Sequence, residues 1–133
     1  VLPSQELAPN NGQTILVAED NPINRELVSM FLTKRGFHVK AAKDGAQAVE
    51  MAQNNDFALI VMDVAMPGMD GCQAATLIRK HEGTARHTPI VALTAYGSPE
   101  ARKACLDSGM DDVLIKPIRA AEFFSTLEKY VSH

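Results

Sequence analysis

Cysteine is scarce in this sequence: Cys72 and Cys105 are the only two, far apart and in neither metal-ligand nor redox spacing. That excludes a disulfide framework and a cysteine metal site, and both read as reduced packing residues of a cytosolic domain. Basic charge is not in excess. Thirteen Lys and Arg against 16 Asp and Glu leave a net charge of −3, so there is no electrostatic footprint for nucleic acid. No apolar run approaches the length of a membrane span. The start, Val1 to Glu6, has neither the charged nor the apolar region of a signal peptide. A cytoplasmic domain with no membrane contact of its own is therefore expected. His38, His81, His87 and His133 show no ligand spacing and read as surface residues, as do Lys34-Arg35, Arg79-Lys80 and Arg102-Lys103 on their helices. Residues 1–13 carry Pro3, Pro9, Asn10, Asn11 and Gly12 and no periodic pattern, which predicts a linker or mobile tail. A linker there implies something attached upstream, and the absence of an initiating Met suggests a fragment or a processed chain.

What is there fits one domain, residues 14–133, since 133 residues with 46% hydrophobic side chains can bury one core. Ala58-Leu59-Ile60-Val61-Met62 is continuously apolar, as a parallel strand buried on both faces must be. The next residue is a carboxylate, Asp63, followed by Pro67-Gly68 and Gly71, which break the chain and lead into a helix. Thr14 to Ala18 is a second such strand, ending in Glu19-Asp20, with Asn21-Pro22 as the N-cap and first residue of a helix that Gly36 ends. Phe37 to Ala41 alternates apolar and polar, as an edge strand does, and Asp44-Gly45 makes a turn into a helix marked by Ala46, Val49 and Ala52. Ala74, Ala75 and Ile78 mark the third helix, which Glu82-Gly83-Thr84 breaks. Pro89 to Leu93 is a buried strand ending in Thr94, and Ser98-Pro99 opens a helix that Gly109 ends. Val113 to Ile115 is a short strand ending in Lys116-Pro117, and a last helix puts Phe123, Phe124, Leu127, Tyr130 and Val131 on one stripe. Alternation of this kind predicts an α/β fold: a doubly wound parallel sheet of five strands in the flavodoxin-like (βα)5 order 2-1-3-4-5.

In such a sheet the strand ends share one edge, and that edge collects Glu19, Asp20, Asp63, Thr94 and Lys116. Three close carboxylates do not all stay ionised without compensation. An all-oxygen set of this kind suits a hard divalent cation, Mg²⁺ or Mn²⁺. Cation, lysine and hydroxyl around one carboxylate form a receptor for a phosphoryl group, with Asp63 as nucleophile. Taken singly, each residue has a plainer reading: Lys116 as the buried ion-pair partner of Asp63, Thr94 as a strand-end hydroxyl, Glu19 and Asp20 as charges favouring a helix N-terminus. Their arrival at the ends of successive strands is what favours the phosphoryl receptor.

From Gln13 to Val131 the sequence resembles the receiver domains of two-component response regulators. The match rests on Val17-Ala18-Glu19-Asp20-Asn21, Met62-Asp63-Val64-Ala65-Met66-Pro67-Gly68-Met69-Asp70-Gly71, Ala92-Leu93-Thr94-Ala95 and Lys116-Pro117. Asn24, Met66-Pro67 and Met69-Asp70-Gly71 look most like receivers fused to hybrid sensor kinases. The resemblance implies Asp63 as phospho-acceptor, Mg²⁺ held by Glu19, Asp20, Asp63 and the backbone carbonyl of Ala65, Thr94 and Lys116 on the phosphoryl oxygens, and a cis Lys116-Pro117 bond. It implies a histidine kinase core or a histidine phosphotransfer domain as partner, in a phosphorelay. Such a protein catalyses its own phosphorylation and dephosphorylation and is no conventional enzyme, though it can be part of a hybrid histidine kinase. One departure is Val113, where the family usually has an aromatic residue. Competing readings are a stand-alone single-domain regulator, a degenerate binding-only receiver, a Mg²⁺-dependent phosphatase with an Asp nucleophile, and a flavodoxin. The phosphatase would need a second acid where Ala65 stands, and Glu19-Asp20 would repel a flavin phosphate.

Overall fold

A computed structural model describes residues 13–131. Strands and helices alternate as β1 (Thr14–Ala18), α1 (Pro22–Lys34), β2 (His38–Ala42), α2 (Gly45–Asn54), β3 (Leu59–Asp63), α3 (Gly71–Glu82), β4 (Ile90–Thr94), α4 (Pro99–Asp107), β5 (Asp112–Ile115) and α5 (Ala120–Tyr130). The five strands form one parallel sheet in the order β2-β1-β3-β4-β5, as the alternation predicts. The expected tail lies outside the described residues except for Gln13, whose carbonyl already accepts the His38 N–H at 2.9 Å.

Successive strand side chains point to opposite faces, and each face has its own core. Leu16, Ala18, Ile60, Met62, Ala92 and Val113 pack with Ala48, Val49 and Ala52 of α2, Ala74, Ala75 and Ile78 of α3, and Cys105 of α4. Ile15, Val17, Val61, Leu93 and Leu114 pack with Val28 and Leu32 of α1 and with Phe123 and Leu127 of α5. Hence α2, α3 and α4 cover one face and α1 and α5 the other. Burial of each of these aliphatic side chains contributes about 1.5–3 kcal/mol, before the entropy of ordering the chain. Every residue of β3 and β4 is buried, while edge strand β2 exposes His38, Lys40 and Ala41.

The helix starts follow the predicted chemistry. The Asn21 side chain accepts N–H bonds from Ile23 and Asn24, with Pro22 at the first helical position, and Ser98 caps α4 by accepting from Ala101. Asp44 proves to be a third cap, accepting from Gln47, so Gly45 is the first residue of α2 rather than part of a free turn. The structure shifts three other details. β2 begins at His38, and Phe37 is buried beneath α1 and α5 instead of pairing in the sheet. The buried face of α2 carries Ala48 rather than Ala46, which is exposed. Glu82 ends α3 as a buried residue, and Gly83 alone, at φ 59°, turns the chain.

Candidate functional site

The edge formed by the C-terminal ends of the strands gathers the acidic and basic residues that the sequence places there. Asp63 is the last residue of β3 and is 2% exposed; Glu19, one residue past β1, is wholly buried, and Asp20 beside it is exposed. One carboxylate oxygen from each of the three lies within 4.8 Å of the others. The sheet register brings them together, since β1 and β3 are adjacent and Ala18 pairs with Met62. Lys116 reaches in from the end of β5, its Nζ 3.2 Å from Asp63 Oδ1 and 3.2 Å from Glu19 Oε1. The N–H of Lys116 donates to the Thr94 carbonyl at 2.8 Å, which ties the two strand ends together. Thr94 closes β4 and is buried; its Oγ1 accepts the Tyr96 N–H at 3.0 Å. Ala65 is exposed two residues beyond Asp63, and its N–H donates to Asp63 Oδ1 at 3.3 Å. The Lys116–Pro117 peptide bond is cis, as expected.

Gly71 allows the site to be this tight. A Cβ there would lie 2.4 Å from the Asp63 carbonyl oxygen and 2.9 Å from Val64 Cα, so α3 starts closer to the acid-bearing strand than any side chain permits. The Gly71 N–H donates to the Val64 carbonyl at 2.9 Å and seals that approach.

Electrostatics mark the cluster as short of positive charge. Burial, then the hydrogen bond shared with Asp63 and the charge of Asp63, push the Glu19 carboxyl up to about 7; the Asn21 N–H and Lys116 work the other way without winning. Burial alone would depress the Lys116 ammonium, but the charges of Asp63 and Glu19 outweigh it and hold the group above its ordinary value. Glu19 Oε1, fully buried, accepts no hydrogen bond among the described residues, because Lys116 Nζ lies near it outside hydrogen-bond geometry. Three convergent oxygen donors, one of them an orphaned buried acceptor, fit a hard divalent cation.

Several residues of consequence were not legible as such. Arg79 is not a solvated helix position: its side chain is 17% exposed and pairs with Glu82 at 2.7 Å and Asp111 at 2.8 Å. His87 is a surface residue as expected, but it too bonds Asp111, at 2.7 Å. Arg25 folds back from α1 onto the Glu19 carbonyl at 2.8 Å. Its only signal in the sequence is a cation four residues after the cap Asn21, one helical turn from the acids. Cys72 and Cys105, 33 positions apart, are free thiols that meet across α3 and α4, and burial, then the neighbouring Cys72, push the Cys105 thiol up to about 11.

Comparison with known proteins identifies a family for the chain. The family model for the response regulator receiver domain matches residues 15–128. The sensor histidine kinase GacS of Pseudomonas protegens is 38% identical over 128 residues, which cover 95% of the chain but 14% of that kinase. A crystal structure of the receiver domain of a Pseudomonas aeruginosa sensor histidine kinase, with magnesium coordinated in its active-site cleft, is 39% identical with a TM-score of 0.82 over 90% of this chain and 97% of that one. A chain of the Saccharomyces cerevisiae co-crystal of a histidine phosphotransfer signalling protein with the receiver domain of its downstream response regulator is 32% identical. Its TM-score is 0.83 over 92% of this chain and 90% of that one.

Proposed function

Because the chain belongs to the response regulator receiver domain family, we propose that Asp63 takes a phosphoryl group from a partner's phosphohistidine. An Asp63 carboxylate oxygen attacks phosphorus, the phosphorus–nitrogen bond breaks, and the imidazole leaves with its electron pair. Glu19, Asp20, Asp63 and the backbone carbonyl of Ala65 would hold Mg²⁺, whose charge neutralises the phosphoryl oxygens. Mn²⁺ satisfies the same donor set, and the Mg²⁺-bearing relative makes magnesium the ion proposed. Lys116 is poised to exchange its ion pair with Asp63 for one with the phosphoryl group, and the Thr94 hydroxyl donates to a phosphoryl oxygen from the next strand. The observation that carries this reading is the convergence of Glu19, Asp20 and Asp63 on one point with Lys116 3.2 Å from Asp63. The test is incubation with Mg²⁺ and a small phosphodonor, followed by detection of an acid-stable, base-labile acyl phosphate.

The partner we propose is a histidine phosphotransfer domain or kinase core, in the cytoplasm, with this chain as the C-terminal receiver of a hybrid histidine kinase. The kinship with GacS supports that setting, and a stand-alone regulator is the alternative. α1 offers the docking stripe: Ile23 is 77% and Met30 48% exposed, with Leu27 between them, on the helix that follows Glu19 and Asp20. Among the described residues no helix is long and apolar enough to cross a membrane.

Lys116→Ala and Thr94→Ala should separate chemistry from switching. Each leaves the nucleophile in place, so labelling persists at a reduced rate, while amide shifts in α4 on adding a phosphoryl mimic shrink. A bound group moves a conformational equilibrium only through contacts that differ between its two states. Wild-type shifts in both variants would refute the coupling.

The phosphorylated state should also be long-lived. Hydrolysis needs a water in line with the bond between Asp63 and phosphorus. Ala65 has no polar group to orient one, and the bulky Tyr96, two residues past Thr94 and 70% exposed, can cover the phosphate. Decay of the purified phosphoprotein in Mg²⁺ measures this beside Ala65→Asn and Tyr96→Ala. Rapid wild-type loss that either substitution slows would overturn it.

A further inference from the structure

We infer that Arg25 is a positioning residue for the divalent-cation site, acting through the backbone of the two acids that follow β1. This rests on the metal reading proposed above.

Glu19 is held from all sides. Its N–H donates to the Ala42 carbonyl at 3.1 Å, its Oε2 accepts the Asn21 N–H at 3.1 Å, and Lys116 lies beside its Oε1. Its carbonyl accepts Arg25 Nη1 at 2.8 Å. Asp20 has much less support. It is exposed, and among the described residues its carboxylate accepts no hydrogen bond; the one side-chain contact to its backbone is the same Arg25 Nη1, 3.5 Å from its carbonyl. One nitrogen therefore bridges two consecutive carbonyls at the turn that presents both acids. The bridge is itself anchored, because the Arg25 N–H donates to the Asn21 carbonyl at 2.9 Å, at the start of α1. A turn presenting two ligand acids needs its peptide planes fixed if the oxygens are to converge without an ordering penalty when the cation arrives. Arg25 supplies that fixation from one helical turn away, and touches no carboxylate oxygen.

The effect has a sign that separates it from simple electrostatics. A guanidinium near the acids repels a cation, so if only its charge mattered, Arg25→Gln would tighten Mg²⁺ binding and Arg25→Lys would leave it unchanged. If Arg25 positions the turn, both substitutions weaken binding: Arg25→Gln by about tenfold and Arg25→Lys by less, because an ammonium keeps a charged donor near the turn but lacks the planar, pre-organised fork of the guanidinium.

The experiment is Mg²⁺ titration of the full chain, read from backbone amide shifts of Glu19, Asp20 and Asp63, for wild type, Arg25→Gln, Arg25→Lys and Asp20→Ala. The rest of the amide spectrum reports whether each variant is folded. Weaker binding in Asp20→Ala tests the metal site itself. With Asp20→Ala weakened, a loss in Arg25→Gln partly restored in Arg25→Lys establishes the positioning role; unchanged or tighter binding in Arg25→Gln overturns it. If Asp20→Ala titrates like wild type, the metal reading fails and this inference fails with it, whatever the arginine variants do.

Discussion

Asp63→Asn should reduce acyl-phosphate formation below about one hundredth of wild type, because the amide oxygen is no nucleophile toward phosphorus at neutral pH. The substitution keeps the shape at the end of β3, where Asp63 is 2% exposed and closes a strand whose every residue is buried. It removes one negative charge from a cluster that has too many, so the variant is expected to fold at least as stably as wild type. Loss of labelling with retained stability then reports chemistry alone. The check is incorporation from a small phosphodonor with and without EDTA, read by intact mass, beside a urea melt of the same preparation. Labelling of Asp63→Asn at the wild-type rate would move the acceptor elsewhere.

The second large effect lies at the opposite end of the sheet. Glu82→Ala should destabilise the fold by about 3 kcal/mol, since breaking a buried ion pair from one side strands its partners. The Glu82 carboxylate accepts Arg79 Nη1 at 2.7 Å and the Thr88 N–H at 3.0 Å, with Arg86 at 3.8 Å. Asp111 extends the cluster by bonding Arg79, His87 and the Ile90 N–H, and Arg86 pairs with Asp56. The cluster ties the end of α3 to the starts of β4 and β5. Burial by itself would raise the Glu82 carboxyl, but bonds from Thr88 and Arg79 prevail and hold it below its ordinary value. A depressed carboxyl contributes stability above its unfolded value, near 4.5, and loses that contribution as pH falls through the lower folded value. Wild type should therefore lose its advantage over Glu82→Ala in acid. Urea midpoints at neutral pH and in acid check both statements, and a difference below about 1 kcal/mol at neutral pH would show that Arg79 and Thr88 find other partners.

These two sites also show what could be read without coordinates. The sheet was legible because Leu59 to Met62 and Ile90 to Leu93 are apolar on both faces, and because Asn21, Ser98 and Gly36 carry their capping chemistry in their identity. The acceptor site was legible because a parallel sheet brings strand ends to one edge, so chain order alone places Glu19, Asp63, Thr94 and Lys116 together. The Glu82 cluster follows from no such rule. Arg79 and Asp111 are 32 positions apart, and a lone Glu near a helix end reads the same whether it faces water or a buried arginine. Arg25 was missed because a side chain that folds back onto a carbonyl leaves no periodic trace. The thiol contact between Cys72 and Cys105 depends on α3 and α4 lying on the same face of the sheet, which spacing does not encode.

α4 has nine residues, and one of them, Cys105, is buried. The apolar area that holds it down is that of a single small side chain, worth about 1–2 kcal/mol, a fraction of what anchors α1 or α5. Of the five helices it carries the fewest buried side chains. It is also hinged to the site, since Thr94 leads through Tyr96 and Gly97 straight into its cap at Ser98. A new bond at the Thr94 hydroxyl, where the Tyr96 N–H now donates, would act on the short segment that opens α4. The helix with the least apolar burial is thus the one whose first turn is strung directly from the hydroxyl at the strand edge.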